Sequence, residues 1–600
     1  MNPHSSPSLP SLPAAPVRRW LVSALALALA PTLAPQAALV PMDGNSTATA
    51  PEKSVQTVKE LLSAATPRTA LATTAFPLAT TSRGEAARQA QLAPAPEGAT
   101  QNADILSSLP AKALRVSQIS PRAWKRPLPT DSVSRMLKGL LEECVRYSLT
   151  TWRCNVKHFD RADSAALPYY PLAGRQEKIV RPLSHEAFLL ALALRWGFCN
   201  ESTTGLSQAE TQKFATKLIA SICHAHKACT PSSPKSWGGQ WQSALWAAQV
   251  AEAAWFLWDK LETGAQRDVL RMVIYEADRF NHYPVPYYRD RNGNILFPGD
   301  TKAEENAWNS NILSVACLML PRHPNHKLWD FKNRELQISA YSRPSDLLST
   351  EKIDGLRLDT LLKGSNMNED GTVVNHSRLH PDYMVAFMHN ATNAWLYHLA
   401  SQRPLESSTF NGWVVYSCLT SQPFGPDRRT IYTRDSLGRA TSKMYFPEGN
   451  DWGTGRQANY FLMDVLAHCF GMDKEALQHA AATAKATASK TLATSSDAKA
   501  TASKTLATSS DDAKATASNA LATSPDAKAT ASKTLAPSPS APCPTAYDWA
   551  LSRCNTMVQK MKQSATGRYF SSKSENSFDS AEEFFAAQLA WAYMGLWLQQ

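Results

Sequence analysis

From about Ser132 onward, apolar residues recur at three- and four-residue spacing, the periodicity of helices that bury one face. The spacing predicts helices over residues 134–152, 184–196, 207–224, 240–261 and 264–280, with Ser184 placed to cap the second. Pro321, Pro324 and Pro381 punctuate helix boundaries. Further helical runs cover 384–399, 408–419, 455–470, 543–561 and 580–600. Convincing alternation of apolar and polar residues is scarce, so strands are not expected. The pattern predicts an all-α domain in which helices pair as hairpins.

Two stretches break this pattern. Residues 484–540 repeat the unit AKATASKTLATSSD from Ala484, with small changes at Ala498, Ala513 and Ala527. A period of about fourteen residues is too short for a solenoid repeat. Each unit holds one Leu and no aromatic residue, so it buries almost nothing and reads as a flexible linker. The apolar run 580–600 beyond it needs a core. The array, bounded at 480–542, is therefore expected as an insertion within one catalytic domain spanning 126–600. Ahead of that domain, residues 39–125 read as a disordered spacer, rich in Ala, Thr, Pro and Ser over 39–110. Residues 1–38 carry Arg18 and Arg19, an apolar run over 20–30 and then small residues, the pattern of a secretory signal.

Export changes how the cysteines read. The ten cysteines become disulfide candidates, with Cys144/Cys154, Cys223/Cys229 and Cys543/Cys554 close in sequence. Cys223 and Cys229 flank two histidines, but a helix leads into them and oxidation would consume the thiols, so no metal site is expected. Asn45, Asn200, Asn375 and Asn390 begin glycosylation sequons. The net charge of +11 suits an acidic partner: a polyanionic glycan, an anionic lipid or a nucleic acid. It is spread along the chain without a basic block, and no nucleic-acid motif accompanies it. An exported protein freed of its signal has no stable membrane insertion, which leaves a secreted, extracellular or periplasmic location.

The densest chemistry lies in residues 364–390, GSNMNEDGTVVNHSRLHPDYMVAFMHN. Asp370-Gly371 reads as a turn. His376, Arg378, His380 and Tyr383 crowd the entry to a helix beginning at Pro381. A histidine, an arginine and a tyrosine form a workable proton-transfer set, because cationic neighbours favour the tyrosinate. A second wall, 301–321, opens an apolar helix with Glu304, Glu305, Asn306, Asn309 and Asn311. An amide there can stabilise charge that develops on a substrate carboxylate. The structural alternative has the histidines and asparagines capping helices, Arg378 paired with a surface acid and Tyr383 filling the core.

The sequence Asp370-Gly371-Thr372-Val373-Val374-Asn375-His376, with Tyr383 after it, resembles the toroidal polysaccharide lyases, which include the heparinase II/III-like, hyaluronate/chondroitin AC and alginate lyases. Glu305-Asn306-Ala307-Trp308-Asn309, leading into Leu318-Met319-Leu320-Pro321, resembles the helix carrying that superfamily's carboxylate-neutralising asparagine. The resemblance covers residues 180–470. It implies an (α/α) toroid or incomplete barrel of paired helices, here without the C-terminal β-sandwich of many relatives. It also implies β-elimination at a uronic acid of an acidic polysaccharide, with no metal or cofactor. Asn306, helped by Arg378 or a protonated Glu305, would neutralise the carboxylate. His376 or Tyr383 would take the C5 proton, and Tyr383 would return one to the leaving O4. Asn309 is a rival to Asn306. Tyr432, beside Arg428 and Arg429, is a rival to Tyr383. His380 completes the expected substrate-binding set.

Two other functions fit the same residues. A glycoside hydrolase on this kind of toroid would draw paired carboxylates from Glu304, Glu305, Glu369, Asp370, Glu448 and Asp451, with the loop 446–453 placing Trp452 as a stacking platform. A non-catalytic glycan-binding protein would suit the flexible spacers but leaves the His376/Tyr383 cluster without a task.

Overall fold

The computed structural model describes residues 104–154, 156–159, 168–479 and 543–600, all within the compact unit Ala79–Gln600. The expected signal, most of the spacer and the repeat array lie outside the described residues. The spacer is shorter than its predicted boundary at 125. Residues 104–125 are packed on the helices: Leu106, Ala113 and Ile119 are buried, Ser117 N donates to Met319 O, and Trp255 Nε1 donates to Ser117 O.

The described residues are mostly α-helical, an all-α class, with strands among them only as short pairs. The principal helices are α1 (Ser132–Tyr147), α2 (Glu177–Trp196), α3 (Gln208–His224), α4 (Ser243–Phe256), α5 (Thr263–Asp278), α6 (Ala303–Met319), α7 (His326–Ala340), α8 (Pro381–Val385), α9 (Met388–Leu399), α10 (Gly412–Ser421), α11 (Gln457–Phe470), α12 (Ala546–Lys562) and α13 (Ala581–Leu598). Their starts follow local chemistry. The Asp131 carboxylate accepts from Ser134 N, and Ser207–Glu210 and Thr545–Asp548 form reciprocal capping boxes. Gly197 and Gly471 end α2 and α11 in the left-handed conformation that glycine adopts without cost.

Two expectations fail here. Ser184 does not cap α2, which begins two turns earlier at Glu177 and runs through Pro182. Ser184 is buried in mid-helix, its hydroxyl bonded to Val180 O. Helix α7 was not foreseen, because its sequence, HKLWDFKNRELQISA, is mostly polar and buries a narrow face.

The core is nearly continuous. Helices α4, α6 and α13 are buried on all sides, whereas α1, α3, α5 and α12 each bury one face. Helix α2 packs on α3 and α4, α4 on α6, α6 on α7 and α9, α11 on α12 and α13, and α13 on α2. A small satellite core gathers Tyr287, Ile338, Leu347, Ile353, Leu358 and Leu362. Four antiparallel pairs tie the loops: β1 (Arg289–Asp290) with β4 (Gly364–Ser365), β2 (Lys352–Ile353) with β3 (Leu356–Arg357), β5 (Val374–Asn375) with β6 (Arg378–Leu379), and β7 (Tyr432–Arg434) with β8 (Ala440–Met444).

The cysteines overturn the disulfide expectation. All ten are free thiols, and Cys144, Cys223 and Cys554 are each buried. Closeness in sequence does not supply the Cβ geometry a disulfide requires. No helix among the described residues is long and apolar enough to cross a membrane.

Candidate active site

The β5–β6 hairpin sets the site. Its two central residues, His376 and Ser377, have φ of 51° and 59°. Two consecutive positive φ angles match the twist of the flanking strands, but the turn usually takes Asn-Gly. A histidine held there is strained, a condition that clusters at functional sites. Asn375 Oδ1 accepts from His376 N at 2.7 Å and fixes the turn. The chain then enters α8 through His380 as N-cap and Pro381 at its first position, as the proline predicted.

Three of the expected residues meet. Tyr383 Oη lies 3.0 Å from His376 Nε2, and His376 Nδ1 lies 2.7 Å from Asp451 Oδ2. The other Asp451 oxygen is 2.9 Å from His380 Nε2. Burial favours a neutral Asp451, but the hydrogen bonds from His376 and His380 outweigh it and hold the carboxyl at about 2. An ionised Asp451 needs a proton on the His376 nitrogen that faces it. The opposite nitrogen is then free to accept from the Tyr383 hydroxyl. Burial pushes His380 below its ordinary value despite Asp382 and Asp451, so its imidazole is neutral and donates through Nε2. Buried Tyr341 donates to the Tyr383 carbonyl at 2.9 Å and anchors that turn of α8.

Asp451 sits on a loop with its own supports. Asn450 donates to Asp382 Oδ2 at 2.6 Å and to Gly453 O at 3.0 Å, and accepts from Trp452 N at 2.8 Å. Gly453 has φ of 98°, and a Cβ there would lie 2.5 Å from Glu575 O, so the loop closes only on glycine. The Trp452 ring stands 5.4 Å from that of His376.

Behind Tyr383 opens a cavity of about 160 Å³. Glu177, Arg181 and His185 line it from one stripe of α2, Glu304 and Trp308 from α6, Asp382, Tyr383 and His389 from α8 and α9, and Trp452, Arg456 and Phe578 from the loops. Its walls hold polar atoms that are buried and unsatisfied: Arg181 Nε, both ring nitrogens of His185, Gln242 Oε1, Glu304 Oε2, Trp308 Nε1, Asp382 Oδ1 and Arg456 Nε. Native interiors rarely leave such atoms without partners, so these donors and acceptors are available to water or to a polar group entering the cavity. Burial, reinforced by Glu305 and Asp300, pushes the Glu304 carboxyl far above its ordinary range, so it is a neutral acid. Burial and the Arg181 charge hold His389 at about 3 and His185 well below its usual value, so both imidazoles are neutral.

The other expected residues are placed differently. Asn306 is fully buried, and its amide donates to Pro286 O at 3.0 Å rather than into the cavity. Asn309 is also buried and does not line the cavity, because Glu304 and Trp308 occupy the α6 face that does. Glu305 is paired with Lys302 at 3.2 Å. Arg378 is half-buried outside the cavity, and its Nε reaches only the His376 carbonyl, at 3.4 Å. Tyr432 is removed as a rival to Tyr383. It is fully buried among Tyr460, Trp549 and the Arg553 guanidinium and does not line the cavity.

Asp451 was expected only as a candidate hydrolase carboxylate, and Arg181, His185 and Arg456 were not expected at the site. The four-residue recurrence of Glu177, Arg181 and His185 within an apolar helix is the signal that would have found the α2 wall.

His376, His380 and Asp451 place one ligand atom each within 4.8 Å of one another, a donor set that suits a zinc ion. Metal-bound histidines ordinarily donate their second ring nitrogen to an acceptor. Here His380 Nδ1 is buried without a partner, and His376 Nε2 faces the Tyr383 hydroxyl. The Tyr383 hydroxyl suits His376 in either role, and the missing partner at His380 is what favours a hydrogen-bonded relay over a metal centre. No family model, curated protein or solved structure matches this chain.

Proposed function

We propose that the chain is an exported polysaccharide lyase that cleaves a uronic-acid-containing polysaccharide by β-elimination. The observation that carries this reading is the relay Asp451–His376–Tyr383, which delivers a tyrosine hydroxyl to a cavity walled by Arg181, neutral Glu304 and aromatic rings. Helix order supports the toroid on which this chemistry was expected. Helices α2, α4, α6, α9, α11 and α13 contact one another in succession and α13 returns to α2, with α1, α3, α5, α7, α10 and α12 against them. We read this as an (α/α) ring with the cavity at its mouth.

In the reaction, Arg181 and the Glu304 hydroxyl hold the substrate carboxylate. Neutralising it acidifies the C5 proton. Tyr383, its own proton passed to His376 Nε2, takes the C5 proton. The C4–O4 bond breaks as the C4–C5 double bond forms, and Tyr383 returns a proton to the leaving O4. Asp451 stabilises the imidazolium that forms in between. Arg181 and Glu304 thus take the task first given to Asn306, whose amide is already committed to Pro286.

The test is ultraviolet absorbance of the new double bond after incubation with alginate, glucuronan, hyaluronate, chondroitin and heparan-type chains. Absorbance should rise on one of them, and Tyr383→Phe should lower the rate by about 10²–10⁴-fold while leaving binding intact. New reducing ends without absorbance would instead point to a hydrolase using the cavity carboxylates. Binding with neither product would leave a glycan-binding protein.

A further inference from the structure

A second cleft, of about 560 Å³, lies between the end of α10 and the β7–β8 hairpin. It is lined by Arg428, Arg429 and Arg434, with Thr420, Ser421, Asp427, Thr430 and Thr433. All three arginines are exposed. Among the described residues none of the three makes an ion pair with a carboxylate, although buried Arg279 and Arg553 and exposed Arg439 of the same hairpin do.

Side-chain contacts position two of the guanidinium groups, those of Arg429 and Arg434, and the backbone turn places the third residue, Arg428, beside them. Phe424 and Arg429 exchange two backbone hydrogen bonds, at 2.8 and 3.1 Å, and close a tight turn over 425–428. Arg428 occupies that turn with φ of 50°, a conformation uncommon for a residue with a side chain. The Arg429 guanidinium stacks on Tyr445, 4.1 Å from the ring centroid. Arg434 donates to the Cys543 sulfur at 2.9 Å. The cleft hydroxyls of Thr420, Thr430 and Thr433 are engaged with backbone carbonyls, so most of the cleft's remaining donors are guanidinium N–H groups.

Arginines without carboxylate partners around a concavity present planar two-donor forks that pair with two oxygens of a carboxylate or a sulfate group. The hairpin is also joined to the site described above. Gln457 Nε2 donates to Ser442 O of β8 at 3.0 Å, and Gln457 adjoins Arg456 of the cavity wall. We infer that Arg428, Arg429 and Arg434 form an auxiliary subsite that holds anionic groups of a polysaccharide strand outside the catalytic cavity. The assignment of a glycan rests on the proposed lyase reading; the assignment of an anion rests on the cleft alone.

The full chain carrying Tyr383→Phe, to prevent turnover, is titrated at low salt with heparin, alginate and neutral dextran. The triple variant Arg428→Ala/Arg429→Ala/Arg434→Ala should bind heparin or alginate about tenfold more weakly or worse, since each charged hydrogen bond lost is worth roughly a factor of ten. A charge-matched control, Arg115→Ala/Arg267→Ala/Arg322→Ala, removes three arginines from a different cleft. It should bind nearly as the parent does. Equal weakening in both variants would reduce the effect to net charge and overturn the subsite, as would unchanged binding in the first. Tighter arginine-dependent binding of a single-stranded RNA oligonucleotide would overturn the glycan assignment. The two proposals fail separately. An arginine-dependent titration with no ultraviolet product from the unmutated chain would remove the lyase and keep the subsite, and the reverse pattern would do the opposite.

Discussion

Glu304 is the residue whose protonation separates the two enzymatic readings. It is buried, its Oε1 accepts from Asn375 Nδ2 at 3.2 Å, and its Oε2 faces the cavity without a partner. A neutral carboxyl in this setting has one accepting oxygen satisfied and one O–H to offer. In elimination that O–H only holds the substrate carboxylate, so an amide of the same shape serves. Glu304→Gln keeps an acceptor for Asn375 and supplies an N–H toward the cavity. The elimination rate should therefore stay within about tenfold of the parent. Were Glu304 instead the general acid of a hydrolase, the same change would remove the transferred proton and cost about 10²–10⁴-fold. Measured initial rates of the two forms on the responding glycan decide between these outcomes.

At the scale of elements, α9 and α13 meet where Gly595 faces Trp395. A Cβ on Gly595 would lie 2.1 Å from Trp395 Cζ2. Trp395 is buried and stacked between Phe470 and Trp591, so its ring has little room to retreat. Gly595→Ala gains about 1 kcal/mol of helix propensity. It meets an overpacking cost of about 1–3 kcal/mol. The clash should win, and urea denaturation should show a net loss; equal or higher stability would mean the two helices slide apart freely. This contact also illustrates what the sequence conveys. Helices α3, α5, α9, α11 and α12 were legible because their burial repeats at helical spacing, and α4, α6 and α13, buried all round, because their apolar runs are too long for strands. The cluster His376, His380 and Tyr383 was legible because it is local. The partners Asp451, Arg181 and Glu304 come from distant segments, and only packing of the helices joins them. Asn306 misled because a polar residue at a helix start looks alike whether it faces a ligand or a loop carbonyl such as that of Pro286. The cysteine pairs misled because compartment does not fix geometry.

At the scale of the molecule, acid response is a competition between buried groups of opposite habit. Burial holds His158 and His323 at about 4 and His389 at about 3, against 6.5 for the free side chain. Burial also raises Glu186, Glu252 and Glu304 well above the usual carboxyl value. As pH falls below about 6.5, the unfolded chain takes up protons that the buried histidines refuse, and stability is lost. The buried carboxyls already hold protons that the unfolded chain must still acquire, so through them stability rises as pH falls toward the free-carboxyl range. The two contributions oppose each other, so the slope of the whole protein does not identify either. A single-site comparison does. His323 is 5% exposed, stacks on Trp329, and accepts Asn325 N through Nδ1 at 3.2 Å. Protonation there would set two hydrogens against each other. Its stabilising neutrality is fully present above 6.5 and is lost as pH falls from that value through about 4. His323→Gln keeps an acceptor but does not titrate. Relative to the variant, the parent should lose at most about 1.4 kcal/mol per pH unit across that window. Above pH 7 the two denaturation free energies should run parallel. Parallel curves across the acid window as well would mean that His323 charges freely in the folded protein, and that the packing around Trp329 opens to admit water.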